Sequence, residues 1–207
     1  MAFKQLSIAA LTSAAFALAA PALAKIDTGS TVSDMTVTDS NGVTHNLSDY
    51  AGKTVVLEWT NHGCPYVKKH YNAEYSNMQG LQKQAAADDI VWLTVISSAP
   101  GKQGYVSGEE ANELTSSRDA APAAVVLDPS GDMGRTFSAK TTPHMYIIDA
   151  NQTLVYQGAI DSNRSVRAST IPGATNYVSA ALAELKAGEP VTTTDTAPYG
   201  CSVKYKS

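Results

Sequence analysis

Residues 54–59 (Thr-Val-Val-Leu-Glu-Trp) lead within a few positions into Gly63-Cys64-Pro65, and this junction constrains the fold more than any other stretch. A compact, mostly apolar run of that length reads as a central, buried strand. Pro65 suits the first position of a helix, because its missing N–H would be unpaired there in any case. The spacing then predicts one helix to about residue 87, with Val67, Tyr71, Met78 and Leu81 roughly on one face. A cysteine at such a junction meets the unpaired N–H groups and partial positive charge of a helix start, both of which favour thiolate over thiol. Thiolate is the nucleophile of disulfide exchange and of peroxide reduction.

The rest of the chain alternates in the same manner. Residues 32–45 read as a hairpin about Asn41-Gly42. Residues 89–97 and 123–127 carry two further strands. Ser107 is placed to cap a helix over 109–117. Residues 133–139 form a short helix, and 145–148 with 153–156 a second hairpin. A last helix over 176–187 ends at Gly188. Strands alternating with helices, opened and closed by hairpins, give an α/β fold with a mixed sheet.

Composition narrows the function classes. A chain of 207 residues, 43% hydrophobic and 16% charged, suits one globular domain without a metal staple. Its net charge of −4, with no basic cluster, argues against nucleic acid and an anionic membrane surface as partners. Lys4, the apolar run 8–20, Pro21 and Ala22-Leu23-Ala24 read as a secretory signal over 1–24, with an uncut membrane anchor as the alternative. The leader has a bacterial look, which implies a periplasmic protein. The domain then spans 25–188, and 189–207 is a Thr- and Pro-rich tail without periodicity. Only two cysteines are present, Cys64 and, in the tail, Cys201. Two are too few for a disulfide framework and suggest one special thiol with a partner.

Taken together, several segments resemble the thioredoxin-like redoxins. They are the Asn41-Gly42 hairpin with Leu47-Ser48, the strand Val55-Val56-Leu57-Glu58-Trp59, the helix opening at Cys64, the turn Asp128-Pro129-Ser130-Gly131, and Thr141-Thr142-Pro143-His144-Met145. The closest similarity is to peroxiredoxin-like redoxins of the AhpC/TSA group that keep a single active-site cysteine within Asn-His-x-Cys-Pro-Tyr-Val. The resemblance implies a thioredoxin-like mixed sheet flanked by helices, here with an N-terminal hairpin extension. It also implies a cis Thr142-Pro143 bond beside the cysteine, and a Thr142 backbone that pairs with an extended disulfide substrate. The departures are as informative. Val67 stands where thioredoxins carry their second cysteine, and Leu57 and Asn61 stand at the Pro and Thr of the peroxiredoxin motif.

Without a thiol at Val67, Cys201 is the candidate to resolve Cys64. A permanent Cys64–Cys201 bridge, contributing roughly 5 kcal/mol in the chain-entropy model, and two thiols that never meet are the alternatives. His144, and His62 with it, are candidate proton donors or acceptors to the sulfur. Glu58 matches, within one position, the buried acid of thioredoxins. Trp59 is a core or pocket-wall aromatic, Pro65 and Tyr66 flank the substrate site, and His70 is expected in solvent. The leading expectation is therefore a periplasmic thiol oxidoreductase acting on thiols and disulfides, or on hydroperoxides, with no cofactor. A non-catalytic redoxin fold is the alternative, holding a partner or a copper ion through Cys64, Cys201 and His144.

Overall fold

The computed structural model describes residues 26–206, so the leader expected over 1–24 lies outside the described residues. The chain folds about a seven-stranded mixed sheet. In chain order the strands are β1 (Thr36–Asp39), β2 (Thr44–Asn46), β3 (Val55–Trp59), β4 (Val91–Ile96) and β5 (Ala124–Leu127). They are followed by β6 (Thr141–Thr142), β7 (His144–Ile148), β8 (Leu154–Gly158) and β9 (Cys201–Ser202). The main sheet runs β2-β1-β5-β4-β3-β7-β8, and β6 pairs only with β9. Strands β3, β4 and β5 are parallel, whereas β7 joins β3 antiparallel. Every residue of β3 is buried, Glu58 included, as the mostly apolar run over 54–59 leads one to expect.

Residues of β3 alternate between two interiors. Leu57 and Trp59 face a core that includes Phe137 and Tyr146. Val56 faces the other side, where Cys64, Val67, Met78 and Tyr156 gather. The helices are α1 (Pro65–His70), α2 (Asn77–Ala87), α3 (Gly108–Ser117), α4 (Asp132–Thr136) and α5 (Tyr177–Lys186). Ser107 caps α3 as the sequence predicts, its Oγ accepting from the Glu110 N–H at 3.2 Å.

Two expectations change. The single helix to residue 87 is two helices. The Asn72 side chain accepts from the Glu74 N–H at 3.0 Å, its carbonyl accepts from the Ser76 N–H at 2.8 Å, and Ser76 turns left-handed at φ 42. An asparagine that offers the backbone these alternatives ends a helix, and the chain restarts at Asn77. The tail, which shows no periodicity, is an ordered strap. Gln157 and Thr196 exchange backbone bonds with the tail and β8, β9 lies antiparallel on β6, and the Ala99 N–H donates to the Lys204 carbonyl at 2.8 Å. Tail order arises from pairing with distant segments, which local periodicity does not encode.

Candidate functional site

Cys64 caps the N-terminus of α1, with Pro65 exposed at the first helical position. Buried β3 delivers the chain to this point. The loop between is held by the Asn61 side chain, which accepts from the Gly63 N–H at 2.9 Å and donates to the Gln103 carbonyl at 3.2 Å. The Cys64 side chain is wholly inaccessible, at 0% exposure. Its Sγ donates to the Thr142 carbonyl at 3.1 Å, and the Thr142-Pro143 bond is cis.

Cys201 is the other neighbour. The strap places its Sγ 2.7 Å from Cys64 Sγ, inside van der Waals contact yet longer than the ~2.05 Å of a bonded pair. Both are free thiols. Burial alone would raise the Cys64 pKa. Hydrogen bonding from Cys201, from the Val67 backbone and from the Thr142 side chain outweighs it, so the thiol lies below its usual value. Cys201 is pushed up to about 11, first by burial and then by the Cys64 sulfur beside it. The two thiols therefore differ, Cys64 lying below its usual pKa and Cys201 above it.

Cys201 pairs directly opposite Thr142 in the β6–β9 ladder. Gly200, at φ +142, has room for no side chain, since a Cβ there would lie 2.1 Å from the Thr142 carbonyl oxygen. Tyr199 is buried, and its hydroxyl donates to Asp161 and lies 3.2 Å from His70 Nε2. Its ring meets Tyr66 edge-on at 5.7 Å, which gives Tyr66 a place at the site. Lys69 Nζ completes the cluster, donating to Asp161 at 3.0 Å and to the Asn163 carbonyl at 2.7 Å. On the far side of Cys201, the Tyr205 hydroxyl donates to the Ala139 carbonyl at 2.8 Å, under the Arg135 guanidinium.

The other candidates fall differently. Glu58 is on the Cys64 side of the sheet and fully buried. Tyr71, Gln82, Trp92 and Thr94 all donate to its carboxylate, and burial raises its pKa despite these bonds. None of those bonds reaches Cys64. Trp59 belongs to the opposite core, donating from Nε1 to Ser97 at 3.0 Å and packing on Phe137 and Tyr146, so it is no pocket wall. His144 pairs with Trp59 across β3 and β7 and shares its face. Its Nδ1 accepts from the Lys140 N–H and bonds the Tyr146 hydroxyl, and burial lowers its pKa to about 3. Strand alternation turns His144 away from the thiols, which removes the expected proton role and the copper set Cys64, Cys201 and His144. Among the described residues no three His, Cys, Asp or Glu side chains gather as metal ligands. His70, expected in solvent, is buried. His62 instead lines a concavity of about 410 Å³ with Glu110 and Glu113.

Lys69, His70 and Asp161 were missed by sequence reasoning. His70 falls three positions after buried Val67 and so lay on the apolar stripe of α1. Lys69 and Asp161 carry no local signal, because their partners in the fold, each other and Tyr199, are distant in sequence. A cavity of about 780 Å³, lined by Thr54, Asp149 and Glu189 among others, sits at the opposite end of β3 from Cys64.

A mixed sheet, a cysteine capping the helix after its central strand and a cis-proline strand against the sulfur together define a thioredoxin-like redoxin. The AhpC/TSA family model matches residues 28–157, and the chain belongs to that family. Among solved structures it is similar to an uncharacterized conserved protein from Geobacillus kaustophilus, at 22% identity and TM-score 0.72, covering 87% of this chain and 93% of that one. It is also similar to a hypothetical protein from Sinorhizobium meliloti 1021, at 19% identity and TM-score 0.71, covering 89% and 97%. A putative thiol:disulfide interchange protein DsbE from Chlorobium tepidum shares 22% identity with a TM-score of 0.50, over 64% of this chain and 85% of that one. No curated protein matches the sequence.

Proposed function

We propose that this protein is an exported, periplasmic thiol-disulfide oxidoreductase in which Cys64 and Cys201 form one redox pair. The observation that carries the reading is the 2.7 Å approach of the two sulfurs, one with a lowered and one with a raised pKa. In the reaction, the Cys64 thiolate attacks one sulfur of a substrate disulfide. A Cys64–substrate bond forms, and the second substrate sulfur leaves as a thiolate. Cys201 then gives up its proton and attacks Cys64 Sγ, closing a Cys64–Cys201 disulfide and releasing the first substrate sulfur. Two electrons have moved from the protein dithiol to the substrate, and an external dithiol restores the starting state.

Once Cys64 is held in the mixed disulfide its charge is gone. That contribution to the high Cys201 pKa goes with it, so the resolving thiol is activated at the step that uses it. The predicted leader and the use of cysteine support export, where such a pair meets oxidants. Mass spectrometry of unreduced digests tests the pair, with mild oxidation expected to yield a Cys64–Cys201 peptide. A potential above about −300 mV identifies a cycling bond, and one well below it a permanent staple. If no linked peptide forms, Cys201 leaves the mechanism. Faster oxidation by hydroperoxide than by disulfide would move the reaction to the peroxidase class.

A further inference from the structure

The strap lies in the groove as an extended polypeptide with a cysteine at the reacting position. Its register therefore shows where each side chain of such a polypeptide goes. Cys201 meets Cys64, and its backbone pairs with Thr142. One residue earlier, Gly200 has its Cα against the Thr142 carbonyl, where any Cβ would lie 2.1 Å from the oxygen. Two residues earlier, the Tyr199 phenol enters a cup whose polar groups are themselves buried. It donates to Asp161 there, 3.2 Å from His70 Nε2, with Lys69 Nζ 5.6 Å from the ring centre. Lys69, His70 and Asp161 are each at most 3% exposed. Ser202, one residue after the cysteine, is exposed and touches little that would read it.

The bonds within the cup leave part of its capacity for the phenol. Lys69 has two acceptors of its own in Asp161 and Asn163, and Asp161 also accepts from the Asn163 N–H at 3.0 Å. The remaining Asp161 valence and the His70 Nε2 face the phenol. A carboxylate and a buried ring nitrogen aimed at one hydroxyl distinguish tyrosine from phenylalanine, because a ring without the hydroxyl takes one hydrogen bond from Asp161 and the phenol partner from His70 Nε2. In strand addition the ladder supplies affinity, and pockets for individual side chains supply specificity.

We propose that Lys69, His70 and Asp161 form a specificity subsite that reads a tyrosine two residues before the cysteine of an extended polypeptide partner, with glycine required between them. The protein's own strap fills this subsite, and a partner segment exchanges for it strand for strand. The proposal rests on Cys64 being the nucleophile. Strap and partner compete for one groove, so the partner's preference appears as a ratio of rates between peptides at one protein concentration.

The test uses the full chain carrying Cys201→Ala, so that Cys64 is its one thiol. The probe is the hexapeptide Pro-Tyr-Gly-Cys-Ser-Val, its cysteine bound to thionitrobenzoate. Attack by Cys64 forms the protein–peptide disulfide, breaks the peptide–thionitrobenzoate bond and releases coloured thionitrobenzoate. Rates are compared where they remain first order in peptide, so that strap opening affects every peptide equally. Replacing Tyr by Phe is expected to slow release about tenfold, as loss of a hydrogen bond to a charged group implies, and Tyr by Ala more. Replacing Gly by Ala should slow it at least about tenfold, and Ser by Ala should change nothing. If the peptides react alike while Cys64 still reacts with a small thionitrobenzoate disulfide, the subsite is overturned and the redox reading stands. If Cys64 reacts with neither, the redox reading falls and the subsite with it.

Discussion

Glu58 and Trp59 are neighbours on β3 and point to opposite sides of the sheet, into interiors of different kinds. On the Trp59 side, aromatic and aliphatic groups pack together, with Phe137 at 5.4 Å and Tyr146 at 4.9 Å between ring centres. On the Cys64 side, apolar packing surrounds a carboxylate with four donor residues, a Lys69–Asp161 ion pair, a histidine and two thiols. The first interior is held by area and shape. The second is tolerable only because nearly every polar group has a partner. The comparison separates stability from chemistry: the two faces of one strand can be damaged independently.

The largest expected effect exchanges the two phenotypes. Cys64→Ser should abolish disulfide exchange at the site, leaving Cys201 as its one thiol, with a stability change of about 1 kcal/mol. Trp59→Ala should cost about 3–5 kcal/mol while leaving Cys64–Cys201 oxidation intact in the protein that remains folded. Denaturant unfolding together with thiol titration measures both. A Cys64→Ser protein that loses stability as Trp59→Ala does would dissolve the distinction between the faces.

The next effect concerns the buried histidines. Burial lowers His70 to about 4 from 6.5, with Asp161 opposing the shift, so the folded state keeps the ring neutral. The stability this provides is fully present above about pH 6.5 and is lost as pH falls towards 4, because the unfolded chain binds the extra proton. The slope is roughly 1.4 kcal/mol per pH unit for one such group. Burial lowers His144, on the opposite face, in the same direction. His70→Asn should remove one histidine's share of the slope and leave the share of His144. Unfolding curves for wild type and variant that run parallel between pH 6.5 and 4 would show that His70 is not held neutral.

The smallest effect is at Glu58, whose pKa burial raises above 4.5. A raised carboxyl contributes stability that is present below its ordinary pKa and lost as pH rises through the folded value. Glu58→Gln removes that loss, so the variant should gain on wild type by about 1 kcal/mol or less from pH 4 to neutrality. Wild type gaining on the variant instead would mean that the donors around Glu58 more than compensate for its burial.

Much of this was legible in the chain. The mostly apolar run at 54–59, the Asn41-Gly42 turn, the Ser107 cap and the strand–Cys–Pro–helix junction are local signals, and each element they imply is present. Thr142-Pro143 came from the family pattern, and its cis bond is there. The break at Asn72 escaped notice because an asparagine within a helical pattern signals little until its side chain is seen bonding its own backbone. The placement of His144 depends likewise on what lies beyond the local sequence. Its position beside Pro143 is visible in sequence, but the side of the sheet it occupies depends on register with β3.

The sequence by itself determined which cysteine stands at the strand–helix junction, which strand presents it and that one other thiol exists to meet it. These follow from residue type and spacing along a few turns of chain. Only the tertiary structure decided that the two sulfurs do meet, and that Glu58 faces the Cys64 side of the sheet while Trp59 and His144 do not. It also decided that Lys69, His70 and Asp161 close around Tyr199. The physical reason is that the strap's order comes from pairing with β6, β8 and the chain after β4. Those partners are distant in sequence, and their contacts exist only once the sheet has brought them to one end of the molecule.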